Sequence, residues 1–273
     1  GYEAIRKASI TTNTSGMTRQ ERIRKVLKEK DTIIAQKKSQ MKKADAIEVV
    51  DATIKATQKA DVDDDKTELK ALLIINTTNF MDSHGDVHIP GLWRKSLSEN
   101  RNIMHLQEHK MEFDKIIADG TDLNAYTESY LWKDLGYPYP GTTEALVFGS
   151  VIKRERNTYM FDQYRKGRVN NHSVGMGYVK IELAADDKSE DEYYNNWDKY
   201  IDQIANKEVA EDAGYFWVVK EAKVIEGSAV PVGSNTATPT YDIKGDTEPL
   251  AGTLKALKQI VEPQETALTR FYN

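Results

Sequence analysis

The feature that most constrains the fold is a change of texture at Asp61–Asp65, where the run Asp-Val-Asp-Asp-Asp divides the chain. Before it, residues 17–56 are rich in Lys, Glu, Gln, Arg and Ala, with no Gly or Pro after Gly16, which predicts a helix. Ser15 or Thr18 can cap its start. Leu27, Ile34 and Met41 fall at heptad spacing, but Lys30 and Lys37 occupy the companion seam, so the coiled-coil signal is weak. A helix docking on a partner, or one standing mostly free, fits equally well. The acidic run reads as a linker that ends this arm.

After the linker the pattern becomes β-rich. Leu69–Thr77 predicts a strand, and the unbroken Leu72, Leu73, Ile74, Ile75 predicts burial on both faces. Residues 79–91 read as a polar turn region, Leu92–Asn100 as a short helix and Ile103–Gln107 as a short strand. Phe113–Ala118 and Leu123–Trp132 read as a hairpin around Asp119-Gly120. Gly136–Gly141 is a loop, Ala145–Ile152 a strand, and Tyr159–Lys166 a short helix with Gly167 as its C-cap. Val169–Leu183 is a long strand. Residues 184–214 form an acidic insertion in which Tyr193, Trp197, Tyr200, Ile201 and Ile204 make one helical stripe. Tyr215–Val219 and Ala222–Val232 return to strand character. The tail is polar, with an amphipathic helix predicted over Leu250–Val261. The expected organisation is a basic helical arm with acidic linker (1–62), a core (63–240) carrying the insertion, and a partly helical tail (241–273). The fold class is α+β, with mostly antiparallel strands and peripheral helices.

Charge and composition narrow the function. The 273 residues have a net charge of −5, yet residues 1–49 hold 12 Lys/Arg against 6 Asp/Glu, so a basic arm precedes an acidic body. Such an arm suits nucleic acid, an acidic partner or the chain's own body. Aromatics are nearly absent from it, which removes a stacking platform and argues against nucleic acid. Cysteine is absent, so thiol nucleophiles, disulfides and thiolate metal sites are excluded within the chain. No apolar run approaches the ~20 residues that span a bilayer, and no leader pattern is visible, so a soluble intracellular protein is expected.

The chemistry-bearing residues lie in two places. Gln107-Glu108-His109 puts a histidine at the end of an apolar run, and Asn171-His172-Ser173-Val174-Gly175 puts a serine inside a strand. Serine needs a base to take its proton, and histidine is the usual base. Strand alternation sends His172 to the face opposite Ser173, so His109 is the better base. Asp82, Gly85 and Asp86 read as turn-formers. A rival reading uses His84/His88 and His105/His109, both at i, i+4 spacing, as metal ligands. Gly85 and Pro90 argue against a helix at the first pair, and the second lies in a strand and its exit.

Four blocks in order carry a resemblance. They are Asp82-Ser83-His84-Gly85-Asp86 through Pro90-Gly91-Leu92-Trp93; Leu106-Gln107-Glu108-His109; Tyr164-Arg165-Lys166-Gly167 with Ser173-Val174-Gly175; and Glu226-Gly227-Ser228-Ala229-Val230-Pro231 with Asn235. Together, over about residues 69–240, the chain resembles the tailed-phage prohead (capsid maturation) protease family, related in fold to the herpesvirus assemblin serine proteases. The resemblance implies a β-barrel-like core ringed by helices and a serine endopeptidase needing no cofactor and no metal. Ser173 would be the nucleophile and His109 the base. Glu226 would orient the imidazole, a role that falls to a second histidine in the herpesvirus relatives. Scaffold and major capsid proteins are the implied partners, in a host cytoplasm and inside an assembling prohead. A homo-oligomer is compatible. The arm and the tail after about Ser234 are candidate self-cleavage regions. A catalytically silent assembly or scaffold protein of the same fold is the alternative.

Overall fold

Strand β1 (Glu68–Thr77) forms the centre of the first sheet, because its apolar run has two cores to serve. Leu69, Ala71, Leu73 and Ile75 face the main core, while Leu72 and Ile74 face a second cluster built on Tyr130, Trp132, Leu135 and Tyr137. The computed structural model describes residues 16–39, 66–100 and 102–245. The remainder of the expected arm helix, the linker and the helix expected over Leu250–Val261 lie outside the described residues.

The architecture of the described residues is α+β, with two sheets. The first has the order β5–β6–β1–β9, all antiparallel, with β5 at Leu123–Leu131, β6 at Thr142–Lys153 and β9 at Thr240–Gly245. The second is organised on the long β8 (Tyr215–Ala229). Antiparallel β7 (His172–Ala185) runs along the whole of one edge. The other edge is shared by two strands parallel to β8, β2 (Asp86–His88) at Trp217–Val219 and β3 (Met104–Gln107) at Glu226–Ala229. Strand β4 (Ile116–Ala118) then pairs with β3. The sheets pack face to face over a core that joins Phe148 and Ile152 to Val174, Met176, Trp217 and Val224.

Several expectations change. Among the described residues the strands close no barrel but form sheets of four and five strands. Residues 113–118 and 123–132 are not a hairpin: β4 joins the second sheet and β5 the first, because the short 3-10 turn Gly120–Asp122 carries the chain from one layer to the other. The core boundary at 240 falls at the start of β9, whose backbone completes the free edge of β1. The insertion holds two helices, α4 (Asp191–Tyr200) and α5 (Lys207–Ala213), with the 3-10 turn Ile201–Gln203 following α4. Trp197, Tyr200 and Ile204 still bury together, over Phe216 and Val218 of β8. Two smaller helices are described in the body, α2 (Arg94–Glu99) and α3 (Thr158–Arg165); the C-cap of α3 is Lys166, not Gly167, which follows it with φ +63°.

The arm helix, α1 (Arg19–Ser39), docks on the chain's own body. Ile23, Val26 and Ile33 are buried, Arg19 pairs with Asp186 at 2.7 Å, and the Arg22 guanidinium donates to the Asp212 carbonyl. At its far end the Lys37 ammonium is buried against the fully buried Asp86 carboxylate, between the rings of Tyr178 and Trp217. The Tyr178 hydroxyl donates to the other Asp86 oxygen. Burial, then the Asp86 charge, hold the Tyr178 hydroxyl well above its ordinary pKa, so it stays a donor. Asp82 does shape the turn, its Oδ1 accepting from the backbone N–H groups of His84 and Asp86. Asp86 is the anchor for a helix 49 residues away in sequence.

Candidate active site

The end of β3 is where backbone strain concentrates. Glu108 and His109 both adopt positive φ, +53° and +57°, conformations that side chains other than glycine seldom take. Each costs roughly 1–3 kcal/mol and persists only where surrounding contacts impose it. Here the Glu108 N–H donates to the Ala229 carbonyl and the His109 N–H to Ser228 Oγ, 3.0 Å each. Both acceptors are on β8, so the parallel β3–β8 pairing forces the turn that aims the imidazole.

That imidazole meets a carboxylate. His109 Nδ1 lies 2.6 Å from Glu226 Oε1, and Ser228 Oγ donates to Glu226 Oε2, also at 2.6 Å. His109, Glu226 and Ser228 are all buried. A carboxylate only accepts hydrogen bonds, so Nδ1 carries a proton, and the lone pair of the imidazole form is then on Nε2. That Nε2 is buried and makes no hydrogen bond among the described residues.

Register brings in Ser173. It pairs directly with Ser228, and Gly175 pairs with Glu226, so all four residues share one sheet face. Directly opposed residues place their Cβ atoms about 4.5–5.5 Å apart. The register then shifts, Met176 pairing with Val224, so Ile225 is the extra residue of a bulge. Such bulges re-aim side chains. This one puts Val224 and Gly227 toward the other sheet and leaves Glu226 on the site face. Gly175 is required opposite Glu226, since a Cβ there would stand 1.9 Å from Oε1. No hydrogen bond joins Ser173 Oγ to His109 Nε2 among the described residues.

The structure therefore brings Ser173, His109 and Glu226 to one patch, and it adds Ser228, which sequence reasoning missed. Ser228 sits two residues after Glu226 on the same strand, and that spacing alone placed it on the same face. The proposed metal pairs diverge. His88 Nδ1 contacts the Asn76 side chain, His105 lies in the core and His109 is engaged by Glu226.

His172 lies on the opposite face, as alternation requires, in a buried chain of polar groups. His172 Nδ1 is 3.0 Å from the Thr238 carbonyl, which can only accept, so Nδ1 holds the proton and Nε2 accepts from the Tyr164 hydroxyl at 3.0 Å. Tyr164 Oη must then accept from His105 Nε2, also 3.0 Å away, and His105 Nδ1 accepts from Ser150 Oγ at 2.9 Å. The direction of every proton is fixed from Ser150 to Thr238. Burial pushes His172 down to about 4, and burial followed by the neighbouring His172 pushes His105 well below its usual value.

Both groups bind protons more readily in the unfolded chain, so stability is complete above about pH 6.5 and falls as pH drops toward 4. The His172 shift alone corresponds to about 3 kcal/mol. Urea midpoints followed by tryptophan fluorescence should fall between pH 7 and pH 5, and less so in His172→Gln. A wild-type midpoint that stays flat across that window would show these histidines are not buried neutral. No family model, curated protein or solved structure matches this chain.

Proposed function

We propose that the chain is a serine endopeptidase of the tailed-phage prohead protease type, cutting scaffold and major capsid proteins, and its own termini, within an assembling prohead. The single observation that carries the reading is the buried 2.6 Å His109–Glu226 contact on the sheet face that also holds Ser173. A base with its lone pair on Nε2, oriented by a carboxylate, on one face with a serine, is the arrangement that acyl transfer needs. In this reading the two-sheet body takes the place of the barrel-like core of such proteases.

Ser173 Oγ attacks the scissile carbonyl carbon while its proton passes to His109 Nε2. Glu226 holds the imidazolium at Nδ1. The tetrahedral intermediate collapses as Nε2 returns that proton to the leaving amine nitrogen, giving an acyl-serine. Water, deprotonated by the same Nε2, then frees the acid. No step needs a metal or cofactor.

The absent Ser173–His109 hydrogen bond favours a second reading, a silent assembly component of the same fold. Catalytic hydrogen bonds often tighten only when substrate is present, so a chemical test decides. A fluorophosphonate probe is expected to label the wild type and to label neither Ser173→Ala nor His109→Ala. Wild-type protein that stays unlabelled even with scaffold and capsid protein added would leave the silent reading.

A further inference from the structure

Strand β5 (Leu123–Leu131) is an outer strand of the first sheet. Among the described residues it pairs only with β6, residue by residue and without a register shift. Trp132, the next residue, donates its N–H to the Gly141 carbonyl at the start of β6. Backbone groups alternate in direction along an antiparallel strand. The even residues of β5 therefore bond β6, and Leu123, Ala125, Thr127, Ser129 and Leu131 turn their N–H and C=O groups outward. The Leu123 N–H is taken by the Gly120 carbonyl. Among the described residues nothing accepts the N–H groups of the other four.

An open edge of this kind is a template for another strand, and folds blunt it with short strands, lysine, proline or bulges. The other edge strands carry such devices. β2 and β4 are three residues long, β9 carries Lys244, and the pairing of β7 shifts register at three places. β5 carries none of them. At about 3.4 Å per residue, its 9 residues make an edge of about 30 Å. Its one charged side chain is Glu128. Leu123 and Ala125 pack on the main core, while Tyr126 and Tyr130 pack on the second cluster, so the two faces of β5 are distinct. Leu131 is 40% exposed. The Tyr126 hydroxyl makes no hydrogen bond among the described residues. Burial, then the Glu128 charge, push it up to about 12, so it remains a donor.

We propose that β5 pairs with β5 of a second copy of this chain, antiparallel about a two-fold axis at Thr127, so that two four-stranded sheets become one. The strand is complementary to itself in this register. Thr127 is its midpoint, so every residue of β5 finds a partner, and about eight backbone hydrogen bonds form across the axis. On the inner face Leu131 of one copy covers Leu123 of the other, and Ala125 meets Ser129. On the outer face Tyr126 stands opposite the partner's Glu128. Its hydroxyl donates to that carboxylate, which accepts from Tyr130 Oη at 2.9 Å and has further lone pairs. An axis at Glu128 sets two carboxylates opposite each other and shortens the pairing, which disfavours that register. An unrelated extended peptide gains the backbone bonds without these side-chain matches, and that difference selects a second copy as the occupant. The contact is isologous and closes at two subunits. It stands whether or not the chain cuts peptides.

Sedimentation velocity of the full chain over a concentration series should show a species of twice the chain's mass. Ser129→Pro removes one outward donor and sets a ring against the partner while leaving the bonds to β6 in place. It should weaken association by at least about tenfold. Thr127→Lys and Thr127→Glu each place like charges face to face on the axis, so each alone should be monomeric. Mixed together they should dimerise again, which also shows that both variants fold. The chain has no cysteine, so one introduced thiol reads the register. A short bismaleimide should join Thr127→Cys to its copy. It should not join Asn124→Cys, because Asn124 lies opposite Tyr130 and about 20 Å from its own counterpart. A wild-type chain that stays monomeric throughout, or a dimer unmoved by both Ser129→Pro and Thr127→Lys, overturns the proposal. So does a monomer whose β5 edge binds an extended peptide of another protein.

Discussion

Replacing Glu226 with Gln should slow fluorophosphonate labelling of Ser173 by about 10⁴-fold, the order of loss seen when the orienting carboxylate of a serine-protease triad becomes an amide. The reason lies in how Glu226 divides its oxygens. Oε1 accepts from His109 Nδ1 and Oε2 accepts from Ser228 Oγ. An amide has one oxygen for these two donors. If its NH₂ faces His109, the imidazole must move its proton to Nε2 and can no longer take one from Ser173. If the NH₂ faces Ser228, Oγ already accepts the His109 N–H, so its own proton loses its acceptor. Ser228→Ala separates the two, because it removes the second demand and keeps the carboxylate. Its expected loss is about tenfold, one hydrogen bond's worth. Gly175→Ala reaches the same carboxylate from the facing strand, since the added Cβ displaces Oε1. Labelling in Glu226→Gln at the wild-type rate would mean that Glu226 does not orient the base.

The largest stability effect is expected at Lys37. Removing one member of a buried ion pair leaves the other uncompensated and costs about 3–5 kcal/mol. Lys37→Ala takes the ammonium from the fully buried Asp86 carboxylate, on which the Tyr178 hydroxyl still donates. It also empties the space between the Tyr178 and Trp217 rings. Lys37→Met restores the volume but not the charge, so it should recover only part of the loss. Lys37→Met combined with Asp86→Leu should cost less than the two single losses added together, because the pair is coupled. Urea unfolding read by tryptophan fluorescence measures each. An unchanged midpoint in Lys37→Ala would show that docking of α1 does not depend on this contact.

The sequence made some of this legible. β1 was readable because burial on both faces leaves an unbroken apolar run, and α3 because Gly167 marks its end. The opposition of His172 and Ser173 followed from alternation alone. Parallel pairing was not readable. Nothing local in Met104–Gln107 says that it joins β8 in parallel, and that pairing is what sets Ser228 under His109. The assignment of 113–132 to one hairpin failed for the same reason. Local turn chemistry at Asp119-Gly120 was correctly seen, but it does not reveal that the strands on its two sides belong to different layers. Lys37 looked like a flaw in a helical seam. Its role depends on a carboxylate far along the chain, and periodicity carries no information about such partners.

The parallel pairing also has a temporal consequence. His109 and Glu226 are 117 residues apart, and no shorter connection brings them together. Contacts of such long range form slowly, since a large loop must close before they reward the chain. A ribosome releases His109 and Ser173 well before β8, and until β8 arrives the imidazole has neither the strand that bends it nor the carboxylate that fixes its proton. The growing polypeptide therefore lacks the oriented base for the whole of its synthesis up to β8. If the chain cuts peptides as proposed, chain order alone keeps the site unassembled during translation, without any inhibitor.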